Sequence, residues 1–168
     1  MQFLRIFLLC IAAAVFYGII HDQITARICI EYFTVFHPNI FHTRSPTWLG
    51  IGWGIVATWW VGALLGLLLA AAARGGSRPK LRDRDLLRPI LKLLVVMAGC
   101  ATVAGLAGFS LSRSAVVALP ARMAARLPQG MRDRFVADWW AHLASYATGL
   151  LGGIVLCVIT YRRRRPRY

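Results

Sequence analysis

Four histidines and a single glutamate stand out among the chemistry-bearing side chains of this sequence. His21, Asp22, Glu31 and His37 crowd one polar segment, His42 follows it, and His142 stands alone far down the chain. Imidazole and carboxylate are the ligands that zinc, iron or manganese take. His21, Asp22, Glu31, His37 and His142 are therefore the candidate ligands of a divalent transition metal, provided the chain folds back to gather them. The same groups would also serve as proton acceptors or a pH-sensing cluster, because imidazole titrates near neutrality. In the plainest reading, Arg27 and Glu31 form an i, i+4 ion pair, Asp22 caps a helix, and the histidines sit at an interface.

Spacing limits the metal reading. On one continuous helix His21 and Glu31 stand about 15 Å apart, too far for one ion. A shared site needs a break near Gln23, or two separate sites. Neither H-E-x-x-H nor E-x-x-H occurs, so no familiar metal motif supports it. Ser145 lies three residues after His142 without an elbow or oxyanion glycine motif, a poor setting for a nucleophile. The four cysteines, Cys10, Cys29, Cys100 and Cys157, are scattered and form no C-x-x-C. That argues against a Cys-rich zinc site and against a quinone-linked, disulfide-generating oxidoreductase.

The elements that must position these residues are membrane spans. The chain has 168 residues, 58% of them hydrophobic and 15% charged, and a mean hydropathy of +0.60. Such a composition suits a chain whose solvent is mostly lipid. Four apolar runs are long enough to cross, at residues 3–20, 48–73, 90–111 and 140–161. Their length and lack of period-two alternation predict helices rather than barrel strands. The expected fold is an all-α membrane protein, a single domain of four transmembrane helices. The first run resembles a signal peptide, with Ala12-Ala13-Ala14 as a small-residue site, yet the apolar stretch continues to Ile20 and predicts an uncleaved span.

Charge orients the bundle. The formal net charge is +14, a value that invites a nucleic-acid partner. The cations, however, crowd the ends of apolar runs, which points to anionic lipid and away from nucleic acid. The basic loop at 74–89 and the tail at 162–168 are predicted to be cytoplasmic, with both termini inside. Segments 21–47 and 112–139 then lie outside, as do all four histidines and Glu31. Trp48, Trp139 and Trp140 mark the outer interface. One or two interfacial helices are expected there, one of them over residues 115–128 with Arg122 and Arg126 on its polar face.

The segment from Ile28 to Phe36 is rich in β-branched and aromatic residues, which also suits a strand. Ile24, Ile28, Tyr32 and Val35 nevertheless make a helical stripe, and the helix reading is preferred, ending before His37-Pro38. Small residues recur every four positions, at Gly50 and Gly54, Gly62 and Gly66, Ala101 and Gly105, Ala104 and Gly108, and Ser145, Gly149 and Gly153. Such stripes let helices approach closely, within one bundle or in a homo-oligomer or larger complex. His142, Ser145, Tyr146, Gly149 and Gly153 share one helix face.

The stretch His21-Asp22-Gln23-Ile24-Thr25, with Glu31-Tyr32-Phe33-Thr34 and His37-Pro38, resembles one found in small, uncharacterised bacterial multi-pass membrane proteins. The resemblance covers segment 21–38 alone and implies a bacterial inner-membrane setting, without an activity. Three functions fit the residues. One is a binding or accessory membrane component with a polar His/Asp/Glu cluster at the extracytoplasmic end. Another is a membrane-embedded metal-dependent enzyme or metal carrier using that cluster. The third is a proton- or ion-conducting oligomer, against which no span carries a mid-membrane acid or base.

Overall fold

The computed structural model describes residues 1–164; residues 165–168, the end of the basic tail, lie outside the described residues. The described residues form seven α-helices: α1 (Gln2–Ile28), α2 (Ile30–Val35), α3 (Pro46–Val56), α4 (Trp59–Arg74), α5 (Asp83–Arg113), α6 (Ala121–Ala124) and α7 (Arg132–Arg163). No strand occurs among the described residues. Among the described residues four stretches are long and apolar enough to cross a membrane: α1, the α3–α4 pair as Pro46–Arg74, α5, and Gln129–Arg163, which is a 3₁₀ turn leading into α7.

Two helix pairs form the bundle, α1 against α3–α4 and α5 against α7, and α4 joins α7 across the middle. Small residues allow the close crossings. A Cβ on Gly54 would stand 2.6 Å from the backbone nitrogen of Ile19, and one on Gly66 would stand 3.0 Å from the carbonyl of Phe7. Backbones this near leave no room for a side chain, and van der Waals contact supplies the association that lipid cannot drive. Gly105 and Gly108 meet α7, while Gly149 and Gly153 meet Met97 and Leu65. These small-residue faces thus pack inside the chain. Large apolar side chains such as Phe16, Val95, Leu106 and Leu151 point outward, as they do where the surroundings are hydrocarbon.

α3 and α4 are one span interrupted at Ala57-Thr58, where the Thr58 hydroxyl donates back to the Gly54 carbonyl at 2.5 Å. Such back-bonding bends helices.

The helices outrun the apolar windows. α1 continues through His21 and Asp22 to Ile28, and α7 begins at Arg132. Burial explains the extension: Asp22, Thr25 and Ala26 face neighbouring helices, as do Phe135, Val136 and Asp138. Polar residues thereby continue a helix that an apolar window would end.

Between α1 and α2 the chain breaks at Cys29, which is extended with φ −147° and ψ 94°. The break is at Cys29 and not near Gln23. It turns α2 against α7 and parts Arg27 from Glu31. Arg27 bonds instead to the Gln23 carbonyl and side chain and to the Thr47 hydroxyl, so the expected i, i+4 pair does not form.

The region at 115–128 is not one long helix. Ala115 adopts a left-handed turn with φ 57°, and α6 covers only four residues. Pro120 and Pro128, flanking α6, limit its length. Arg122 and Arg126 therefore share no extended polar face. Arg126 reaches across to donate to the Val35 carbonyl at 2.6 Å, and its guanidinium lies over the Phe36 ring. That bond satisfies an otherwise orphaned carbonyl at the end of α2.

At the opposite end of the bundle Ile6, Cys10, Leu69, Ala70, Ala73, Leu86 and Ile90 form an apolar cluster. Arg164 seals this end. It is 1% exposed and donates to the carbonyls of Ala72, Gly75, Arg78 and Pro79.

Candidate functional site

Three of the expected ligands meet. α1 supplies His21 and Asp22 from successive positions, and α7 supplies His142. One ligand atom from each lies within 4.8 Å of the other two. Asp22 and His142 are both buried, and their contact joins the two helix pairs.

The hydrogen bonds of His142 define its chemistry. Its Nδ1–H donates to the carbonyl oxygen of Asp138, one turn earlier, at 2.8 Å. A carbonyl only accepts, so Nδ1 carries a hydrogen. Nε2 of the neutral ring then holds a lone pair, and it faces Oδ1 of Asp22 at 3.3 Å. A lone pair against a carboxylate oxygen is repulsive unless a cation stands with them, either a proton or a metal. Ligand bonds of about 2.0–2.1 Å in tetrahedral zinc place neighbouring ligand atoms about 3.3–3.4 Å apart. The bond from Nδ1–H to a carbonyl is also the arrangement that holds a metal-binding histidine in place.

His21 completes the group. Its Nε2 is buried without a hydrogen-bond partner, and its ring meets that of His142 edge-on at 4.6 Å. A proton shared by Asp22 and His142 leaves that nitrogen unmet, whereas an ion drawing His21 inward engages all three residues.

Below the cluster lies a cavity of about 60 Å³, bordered by His21, Asp22, His142, Ser145, Tyr17 and Thr58. It has room for about two waters. The Tyr17 and Ser145 hydroxyls bond each other at 2.8 Å on its wall. An ion held by these three residues would have only three protein ligands, and its fourth coordination position would face this mainly apolar cavity.

Aromatic side chains roof the cluster. The Tyr32 ring stacks on His142 with centroids 4.3 Å apart, and Phe33 is buried beside it. Tyr32 lies between the spans, and burial pushes its phenol above the usual range, so it keeps its hydrogen at neutral pH.

Glu31 and His37 lie outside the group of three. Glu31 accepts a weak bond from the Cys29 thiol at 3.5 Å. His37 donates from Nδ1 to the Tyr32 carbonyl at 2.8 Å and packs on Tyr32, Phe33 and Trp53. It therefore helps hold the roof. His42 is exposed, in a left-handed turn at φ 47°. Burial pushes the Cys29 thiol up to about 12, aided by the carboxylates of Asp138 and Glu31 and opposed by a bond involving the Tyr32 backbone. A thiol so raised is a poor ligand at neutral pH.

Asp138 was absent from the sequence candidates, which placed it in the outer segment at 112–139. It is wholly buried, and neither carboxyl oxygen has a partner. Its position four residues before His142 was the available signal, since i and i+4 share a helix face.

Comparison of the chain with protein-family models, with curated proteins and with solved structures returned no match.

Proposed function

We propose that this chain is an integral membrane protein of a bacterial inner membrane that binds a divalent transition-metal ion through His21, Asp22 and His142. Zinc is the ion that the ligand set and the tetrahedral edge favour. The observation that carries the reading is the pairing of two acceptors, His142 Nε2 and Asp22 Oδ1, at 3.3 Å while Nδ1 is committed to a carbonyl. The orphaned Nε2 of His21 beside them adds to it. The open position over the cavity suits a site that exchanges its ion or binds a further ligand, as a metal-binding component or metal-dependent enzyme requires.

In this reading the Arg164 end faces the cytoplasm, because the basic run at 74–84 and Arg162–Arg164 lie there. Both termini are inside, and the cluster lies towards the extracytoplasmic end. Anionic lipid head groups meet the basic end.

Metal content of purified protein, measured after zinc loading and gel filtration, tests the proposal. Wild type, Glu31→Ala and His37→Ala should retain about one ion per chain, while His142→Ala and Asp22→Ala should retain almost none. A wild-type protein that emerges metal-free would assign the pair to a shared proton and end the metal reading. Retention of zinc by both His142→Ala and Asp22→Ala would place the ion elsewhere.

A further inference from the structure

A groove of about 710 Å³ runs along the side of the bundle between α1 and α5. Its wall follows α5 from Leu91 to Phe109, about 27 Å of helix and close to the thickness of a hydrocarbon core. No Lys or Arg lines it. Most of its polar groups are already committed: the hydroxyls of Tyr17, Thr25 and Thr102 bond to Ser145, to the His21 carbonyl and to the Ala98 carbonyl. His21 and Asp138 are the exceptions. Both border the groove, and Nε2 of the one and both carboxyl oxygens of the other are buried without partners. Orphaned buried polar atoms call for a bound group that meets them.

We propose that this groove holds a membrane hydroquinone, its ring at the His21–Asp138 end and its apolar tail along α5. Charge selects the head. A phospholipid phosphate would find no cation on these walls and would face a carboxyl group. An uncharged head that brings O–H donors would satisfy both residues once their side chains turn towards the groove, one hydroxyl donating to Asp138 and the other to His21 Nε2. A simple long-chain alcohol has one donor and leaves one residue unmet. Phe16, Tyr17 and Phe109 on the same wall add aromatic surfaces for the ring. Entry is lateral, because Tyr32 and Phe33 cover the cluster on its other side. The inference rests on the groove, Asp138 and a His21 Nε2 free of metal, so it describes the ion-free chain.

The test uses the full chain in phosphatidylcholine nanodiscs with EDTA present, titrated with decylhydroquinone. Quenching of tryptophan fluorescence reports binding, since Trp139 and Trp140 adjoin Asp138 in α7. Wild type should quench saturably, and hydroquinone without a tail should bind at least about tenfold more weakly, having no apolar chain to bury. Ala98→Phe fills the groove from an exposed position on its wall and should weaken binding about tenfold or more, the equivalent of about 1.4 kcal/mol. Asp138→Leu should weaken it by about tenfold through loss of the acceptor oxygens. Ala98→Phe leaves the core intact, so it reads the groove even if the Asp138 variant fails to assemble. Equal affinity of wild type and Ala98→Phe would overturn the proposal. So would equal binding of the tail-less compound, or displacement of decylhydroquinone by phosphatidylglycerol at the same mole fraction.

Discussion

The two ends of the bundle bury polar groups in opposite ways. At one end Arg164 is enclosed, and its guanidinium meets four backbone carbonyls. At the other, Asp22, Asp138, His21 and His142 come together, yet three side-chain atoms, Nε2 of His21 and both oxygens of Asp138, have no partner. The first arrangement is self-sufficient and serves the fold: it closes the carbonyl end of α4 and anchors the chain after α7. The second is incomplete. A buried polar group without a partner costs stability, and one that persists points to a ligand that completes it. The contrast supports the proposed site at the His21 end without reference to any motif.

The largest effect should come from the completed end. Arg164→Ala leaves four carbonyls without their donor and should cost about 3 kcal/mol in SDS titration followed by circular dichroism. Arg164→Met should cost nearly as much, because an apolar stem satisfies no carbonyl. A loss below about 1 kcal/mol would mean that water replaces the guanidinium readily, and the contrast between the ends would narrow.

Ligand linkage should produce the next effect, at the incomplete end. Zinc at about a hundred times its dissociation constant should raise wild-type stability by about 2.7 kcal/mol, and EDTA should reverse the gain. His142→Ala should show no zinc effect. If zinc stabilises that variant equally, the ion binds elsewhere and the three-residue group loses its assignment.

The legibility of the molecule follows the same divide. Four spans were readable because apolar runs of this length have one stable form in lipid. The small-residue stripes at Gly54 and Gly66 were readable for a similar reason, since close approach demands them. His21, Asp22 and His142 were recognisable as ligand types, but their meeting was not, because it depends on how α1 and α7 cross. Glu31 and His37 were grouped with them by sequence proximity. The break at Cys29 folds α2 over the cluster, but Glu31 bonds to the Cys29 thiol and His37 to the Tyr32 carbonyl instead of joining it, and nothing in Ile28-Cys29-Ile30 announces a break. Asp138 was hidden by hydropathy, since an apolar window ends before a buried carboxyl even when the helix continues. The long helix expected at 115–128 failed for a local reason, prolines on both sides of α6.

Asp138 offers a sharper form of the contrast. In metal-free protein Asp138→Leu should raise stability by about 1–2 kcal/mol, because it removes two unmet polar atoms from a buried site. Substitution of Arg164 by an apolar residue moves stability the other way. Opposite signs at the two ends, read by the same SDS titration, are the expected result. A loss of stability in Asp138→Leu would show that the carboxyl group already has a partner.

The smallest effect lies at the break between α1 and α2. The Cys29 thiol ionises at about 12 in the folded chain, against 9.0 when freely solvated, chiefly because it is buried. The raised value fixes the sign: its contribution is intact below pH 9 and declines as pH rises from 9 towards 12, since the unfolded thiol loses its proton first. Between pH 9 and pH 10 wild type should therefore lose up to about 1 kcal/mol more than Cys29→Ala does. Other groups titrate alike in both proteins and cancel in the difference. Parallel pH profiles for the two would mean that water reaches Cys29. The roof formed by α2 would then be open, and the lateral groove would no longer be the preferred route to the cluster.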